Sequence, residues 1–313
     1  MPRIRCKKIL VVGDLIADAH HFAKHGGIST ETGSVLGIHE KTELTWGGAG
    51  LLVRNLFALQ AQVTFVSLLG NDEYASKIDE FTHKNLHKVF FKEPSRHTIV
   101  KERFLIDEKK VLRMNRGDSS PISKKTAAAV LQFVKKNIKS FDLILIADYR
   151  HGLMTEALAK NLIEEVHRVK KPIYIDSQVV RDVSNHNWYV GADVFCLNQK
   201  EAKSVDITFD EKDLEKSLGH LQKILNAENI IVKLGEAGSA SLLGKIFMET
   251  PAAKVAARDP VGAGDAFFAA LAVSSPPSKK ALVFANRWAG LSTTILGTEP
   301  PTLSDLKKLK PQK

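Results

Sequence analysis

A chain of 313 residues and 34.5 kDa, 44% hydrophobic and 26% charged, can bury a sizeable core and is neither disordered nor fibrous in composition. Lys and Arg number 45 against 35 Asp and Glu, and the resulting charge of +10 suits an anionic partner: nucleic acid, acidic lipid or a phosphorylated small molecule. The basic residues nevertheless fall in scattered pairs (Lys124-Lys125, Lys135-Lys136, Lys279-Lys280) and a basic end over 307–313, with no zinc-finger spacing, RNA-recognition aromatics or Arg-rich arm, so neither nucleic acid nor a membrane is an expected partner.

Along the chain, KILVVGD (Lys8 to Asp14) has the β-branched, continuously apolar character of a buried strand in a parallel sheet, closed by Gly-Asp. Residues of about 15–46, including GSVLGIHEKTELTW, are β-prone with no helix between. GGAG then opens a helical stretch, LLVRNLFALQAQ, followed by a strand, VTFVSLLG. A second β-prone segment covers about 96–118, with DEKK as a hairpin turn. The two β-prone segments together imply a small antiparallel sheet, a flap able to cover a site.

Beyond the flap, Ala127, Val130, Leu131, Val134 and Ile138 mark one helical face, and Leu158, Leu162, Val166 and Val169 another. Leu214, Leu218 and Leu221 mark a third. These helices alternate with the strands DLILIAD, PIYID, DVFCLN and IIVKLG. Strand-helix alternation predicts an α/β architecture, a mainly parallel sheet flanked by helices with right-handed crossovers, as one domain over residues 1–313.

In such a sheet ligands bind beyond the carboxyl ends of the strands. Asp14, Asp148, Asp176 and Asn198 end their strands there. Each alone fits a turn or a cap equally well; together they favour hydroxyls and Mg²⁺-bound phosphates. Near the C-terminus, DPVGAGDAFFAALAV (Asp259 to Val273) sets two glycines and Asp265 just ahead of an apolar helix. Backbone N–H groups at a helix N-terminus attract an anion, and an acid beside that anion makes sense as the acceptor of a hydroxyl proton. Asp265 also fits as a helix cap.

Other groups carry less. His20, His21 and His25 would bind a metal only if helical, and no carboxylate or cysteine completes a ligand set, so they read as surface histidines. Cys6 and Cys196 form no disulfide framework, and Cys196 reads as a small buried hydrophobe ending a strand. The apolar run Ile9 to Val12 is too short for a signal peptide. A reducing, cytoplasmic setting is expected.

With these motifs in order, the chain resembles the ribokinase (PfkB) family of sugar kinases over nearly its whole length. DPVGAGDAF resembles that family's C-terminal signature, GGAG with its helix and VSLLGND the N-terminal one, and LNQKEA its Asn-x-x-Glu element. VVGDLIAD, ISTE, ADYRHGLM and ANRWAGLSTTILGT resemble the heptose-7-phosphate kinase branch, which acts in lipopolysaccharide precursor synthesis. The resemblance implies ATP as phosphate donor and Mg²⁺ as cofactor, with a monovalent cation near Asp259. It makes Asp265 the base and Gly262, Ala263 and Gly264 the anion hole. It places Asp14, Asp18, Gly47, Gly48, Lys101, Arg103 and Asp148 at the sugar, with Lys101 and Arg103 matched to a substrate phosphate. Asn198, Lys233, Gly235, Gly238 and Asn286 fall at the nucleotide, and Glu201 with Asn198 at Mg²⁺ through water.

Two departures bear on the sugar. Leu51 stands where the family usually has Asn, and Ser177-Gln178 where the branch tends to have Pro-Lys. A homodimer through the flap is expected, since an exposed sheet edge or face seeks cover. The rivals are a dinucleotide-dependent oxidoreductase, disfavoured because no G-x-G-x-x-G follows ILVVGD, a non-catalytic binding protein on the same fold, and a nucleic-acid binder resting on charge alone.

Overall fold

A computed structural model describes residues 7–309, so Cys6 and the last four residues of the basic end lie outside it. The first half of the chain forms β1 (Lys8–Gly13), β2 (Leu15–Ile28), β3 (Val35–Gly48), α1 (Ala49–Ala58), β4 (Gln62–Leu69), α2 (Glu73–Asp79), β5 (Leu86–Lys92), β6 (Val100–Ile106), β7 (Lys109–Arg116), α3 (Lys124–Asn137) and β8 (Leu143–Asp148). There follow α4 (Glu156–Arg168), β9 (Ile173–Ser177), β10 (Val194–Asn198), α5 (Gln199–Val205), α6 (Leu214–Leu225), β11 (Asn229–Lys233), β12 (Ser239–Leu243), β13 (Ile246–Thr250), α7 (Ala263–Val273), α8 (Lys279–Ser292) and α9 (Leu303–Lys308).

Nine strands build the main sheet in the order β13-β12-β11-β10-β9-β8-β1-β4-β5. All but the β12 and β13 pairings are parallel. Because side chains alternate along a strand, Ile9 and Val11 of β1 face one core, with α1, α7 and α8, while Leu10 and Val12 face the other, with α3, α4 and α6. That double burial is why KILVV has no polar residue after its first. The strand order reverses at β1, which lies between β4 and β8, and this is where an open α/β sheet offers a crevice.

The flap is a four-stranded sheet, β3-β2-β6-β7. Its two hairpins, β2–β3 and β6–β7, are antiparallel, and they join through a parallel β2–β6 pairing. Asp107 and Glu108, at positive φ, make the turn expected at DEKK. Main sheet and flap meet at Asp14, where Ser67 Oγ donates to Gly13 O and accepts from Leu15 N, 2.7 and 2.9 Å, bridging the break between β1 and β2. His20, His21 and His25 lie on β2, a strand, so the helical spacing considered for a metal does not arise; His21 stacks on Phe104 and bonds to Thr42. Cys196 is buried in β10 and its thiol is pushed up to about 12 by burial. Among the described residues no helix is long and apolar enough to cross a membrane.

One buried polar contact ties the two helices on either side of α7. Trp288 of α8, fully buried, donates its indole N–H to Asn55 Oδ1 of α1 at 2.9 Å, and Asn55 Nδ2 donates back to Leu51 O at 3.0 Å. Removing one partner strands a buried polar group, which is costlier than removing both. Asn55→Leu should therefore lower stability by about 1–3 kcal/mol in urea denaturation, and adding Trp288→Phe should cost clearly less in that background than in the parent. Strictly additive costs would show that the contact contributes nothing.

Candidate active site

The C-terminal ends of β1, β8, β9, β10 and β11 form one rim, and the N-terminus of α7 rises against it. Gly262 is the N-cap of α7 at φ 83°, a left-handed conformation that favours glycine, and no side chain caps the helix. Asp265 is the third helical residue and makes no cap bond, so the capping role open from the sequence is not the one it adopts. Ala263 N–H turns back to Pro260 O at 3.3 Å; those of Gly264 and Asp265 have no backbone acceptor among the described residues. The Gly262 N–H likewise has no acceptor among the described residues, so of the expected Gly262–Gly264 set only Ala263 is bonded internally, and the Asp265 amide adds a further donor.

Two cavities meet at this point. One, of about 440 Å³, lies under the flap and is lined by Asp18, Leu51, Lys101, Arg103, Lys110 and Arg113 among others. The other, of about 420 Å³, lies over the sheet and is lined by Asp176, Asn198, Glu201, Lys233, Gly235 and Gly238 among others. Tyr149, Gln178, Gly262 and Asp265 line both. Burial and the neighbouring Asp176 push the Asp265 carboxyl up to about 7, against the lowering effect of the Tyr149 hydroxyl, Lys233 and Lys101. The Tyr149 hydroxyl donates to Asp265 Oδ1.

The flap cavity is strongly cationic. Lys101 and Arg103 alternate along β6 and so share a face; Arg113 is cross-strand from Arg103, and Lys110 joins them from β7. Arg103 donates to Asp18 Oδ1 at 2.7 Å, which leaves other guanidinium N–H groups for a ligand. Burial lowers the Lys101 pKa, with Asp18 opposing. Gly47 lets the Asp18 carboxylate lie close over the β3 backbone, where any Cβ would collide with it. Gly48 also lines this cavity. Leu51, in place of a polar residue, packs so closely on Gly262 that a Cβ there would sit 2.5 Å from its Cδ2.

In the sheet cavity Lys233 Nζ donates to Asp176 Oδ2 at 2.5 Å, and the pair holds the Lys233 pKa well above its usual range. A Cβ on Gly264 would lie 3.6 Å from that ammonium, so the cation stands beside the α7 N-terminus. Asn198 and Glu201 form a capping box on α5: Asn198 Oδ1 accepts from Glu201 N at 2.9 Å and Glu201 Oε2 accepts from Asn198 N at 2.7 Å. The Asn-x-x-Glu element thus caps a helix, and both of its polar residues also line the cavity. Burial raises the Glu201 pKa to about 7. Gly235 and Gly238 form the turn from β11 into β12. Asn286 lines the cavity, but its amide donates to Ser239 Oγ at 2.9 Å and Thr250 O at 3.3 Å, an internal tie between α8 and the β12–β13 hairpin.

Asp14 and Asp148, expected at the sugar, line neither cavity. Both are almost fully buried at the point where the strand order reverses, and the crevice there is filled by the loop after β8. Asp14 accepts the backbone N–H groups of Tyr149, His151 and Leu153 at 2.9, 3.2 and 3.3 Å. Asp148 accepts from Arg150 N, Asn185 Nδ2 and Tyr189 Oη at 2.8, 2.7 and 2.7 Å. Burial, then the Asp148 charge, raises Asp14 to about 7. Conversely Tyr149, Lys110 and Arg113 line the cavities without being among the expected site residues, and Asp176 and Gln178, noted in the sequence only as a strand-ending acid and as a departure near the sugar, line them as well. Tyr149 and Gln178 stand inside motifs legible in the sequence; the β7 cations give no signal beyond charge on an exposed strand.

Comparison with known proteins agrees with this geometry. The pfkB family carbohydrate kinase profile matches residues 7–305. The bifunctional protein HldE of a Nitratiruptor species is 31% identical over 307 residues, 96% of this chain and 64% of that protein. The bifunctional protein HldE of Campylobacter jejuni is 28% identical over 309 residues, 97% of this chain and 64% of that protein. The chain therefore spans less than two thirds of the length of these relatives. Among solved structures, Arabidopsis thaliana ribokinase complexed with ribose and ATP matches with a TM-score of 0.70 at 20% identity, over 97% of this chain and 99% of that one. Escherichia coli phosphofructokinase-2 in complex with potassium matches with a TM-score of 0.78 at 14% identity, over 97% and 98%. With a family profile spanning nearly its whole length and a sheet, flap and α7 loop placed as that family's motifs require, the chain belongs to the pfkB family of carbohydrate kinases.

Proposed function

We propose that this kinase transfers the γ-phosphate of ATP to a hydroxyl of a sugar phosphate, a heptose 7-phosphate in the first instance. The observation that carries the reading is the place of Asp265, on the wall common to a cationic cavity and a cavity lined by glycines, Asn198 and Lys233. ATP would occupy the second, with adenine and ribose along Gly235, Gly238 and Asn286 and its phosphates at the N-terminus of α7. Asp265 would take the proton as the acceptor oxygen bonds to the γ-phosphorus and the bond to the β-phosphate oxygen breaks, releasing ADP. The Gly264 and Asp265 amides, with Lys233 beside them, would stabilise the charge that develops.

The donor set suits Mg²⁺ held through water and the nucleotide: among the described residues no cluster of three or more acids, histidines or cysteines is disposed to cage a metal, while Glu201 and Asn198 line the cavity and Glu201 uses only Oε2 in the capping box. Mg²⁺ would neutralise phosphate charge there. A monovalent cation beside Asp259 belongs to the same reading, as does one domain serving both cavities.

Four cations on the flap favour an acceptor that is itself a phosphate, with Asp18 taking sugar hydroxyls. The heptose follows from local motifs that resemble the heptose kinase branch. Leu51 and Gln178 both line the acceptor cavity, so the departures fall where the sugar would be read. A homodimer through the flap, in the cytoplasm, completes the proposal; Ile28, Val35, Ile38 and Val111 leave apolar surface exposed on it.

ADP release from Mg²⁺-ATP with a panel of sugars and sugar phosphates tests the reading. Turnover should require a phosphorylated acceptor and fall by about 10²-fold or more in Asp265→Asn with ATP affinity retained. An Asp265→Asn variant as active as the parent, or ATP binding without turnover on any acceptor, would count against a kinase centred on this residue.

Arg103→Met should raise KM for the phosphorylated acceptor by about 10- to 100-fold and leave KM for ATP within about twofold. Equal losses for both substrates would place Arg103 in the scaffold instead of at the phosphate.

A further inference from the structure

Asp265 is surrounded by charges that belong to other pairs. Lys233 of β11 donates to Asp176 of β9, and Arg103 of β6 donates to Asp18 of β2. Lys101 of β6 stands over the Tyr149 ring, 6.0 Å from its centroid. Among the described residues, the one side chain that hydrogen-bonds to the Asp265 carboxylate is Tyr149, through Oδ1, so Oδ2 is left for an incoming hydroxyl.

Tyr149 is itself unusually constrained. It follows β8 directly, and its loop is held by Asp14, whose two carboxylate oxygens take three successive odd-numbered amides, those of Tyr149, His151 and Leu153. The next residue, Arg150, sits at φ 63° and donates its own N–H to Asp148. Two buried acids therefore grip both sides of one short loop. A surface loop does not need two buried carboxylates to be stable, and each is costly to bury. What the loop delivers into the site is the Tyr149 hydroxyl, on the wall shared by the two cavities.

We propose that Tyr149 is a positioning residue for the reaction, donating to Asp265 Oδ1 so that the carboxylate keeps Oδ2 turned to the acceptor, and that Asp14 and Asp148 serve this by fixing the loop that carries it. A hydroxyl donor stabilises the charged form of a carboxylate, against burial and the nearby Asp176, which favour the neutral form. Without the donor Asp265 holds its proton to higher pH. A base is inactive when protonated, so the acid side of the activity profile moves upward. The inference rests on Asp265 being the base.

The test is the pH profile of kcat/KM for the acceptor, from about pH 5 to 9, for the parent, Tyr149→Phe and Asp14→Asn, with ADP affinity measured alongside as a check on the fold. The parent should lose activity as pH falls through about 7. Tyr149→Phe should move that limb upward by about one pH unit, losing more near the acid end than near the alkaline end, with ADP affinity unchanged. Asp14→Asn, which loosens the loop without touching either cavity, should move it the same way by less. A limb that stays in place in Tyr149→Phe, with ADP still bound, overturns the inference, whatever the loss at the plateau. Should Tyr149→Phe fail to bind ADP, an unmoved limb in Asp14→Asn overturns it equally. Activity surviving in Asp265→Asn would instead remove the base reading underneath, a separate result.

Discussion

The site depends on keeping one carboxylate uncompensated. Asp265 lies within reach of Lys101 and Lys233, and either cation bonded directly to it would hold it ionised and weakly basic. Lys233 instead bonds to Asp176, and Arg103 to Asp18, so one cation of each cavity is anchored on another acid, while Lys101 stands over the Tyr149 ring. Asp265 is left with a neutral hydroxyl and the dipole of α7, and burial lifts its carboxyl to about 7. A carboxyl poised there suits the proposed role of base, accepting a proton near neutral pH and still returning it.

That arrangement explains the division of labour between sheet and flap. The parallel sheet presents Asp176, Asn198 and Lys233 at fixed spacing from the ends of adjacent strands, where the register is set by ladder hydrogen bonds. The flap carries Lys101, Arg103, Lys110 and Arg113 on strands with much exposed surface, covering the cavity from one side only. On the proposed reading the phosphoryl-transfer residues sit on the sheet and α7, while the residues that would read the acceptor sit on the flap and on Leu51. The identity of the sugar could then change without disturbing Asp265.

Legibility in the sequence follows the same division. Strands buried on both faces announce themselves as continuous apolar runs, and the α7 loop shows as two glycines and an acid before an apolar helix, a pattern that fits an anion site and a helix cap alike until the neighbouring motifs are added. Asp18, Lys101 and Arg103 line the cavity that the motifs imply for them. Asp14 and Asp148 do not, because a strand-ending acid points equally well at a ligand or at the neighbouring loop, and only the packed crevice between β1 and β8 decides. The Tyr149 to Asp265 bond spans 116 positions and the Asp176 to Lys233 bond 57, with no periodic signal linking either pair. Asn198 and Glu201 show that a capping box and a ligand motif share one spelling, so a cap and a place at the cavity are both true of them. The β5 strand and the β12–β13 hairpin escape a reading by pattern, being short and bounded by mixed residues that carry no clear period.

The measurement that bears most directly on the central claim is a crystal structure of the chain with an unreactive ATP analogue and the best acceptor from the activity screen. The account predicts the acceptor hydroxyl within hydrogen-bond reach of Asp265, about 2.6–3.2 Å, the γ-phosphate at the Gly264 and Asp265 amides, and the acceptor's own phosphate against Lys101 and Arg103. An acceptor bound with no hydroxyl near Asp265, or a triphosphate directed away from the start of α7, would contradict it.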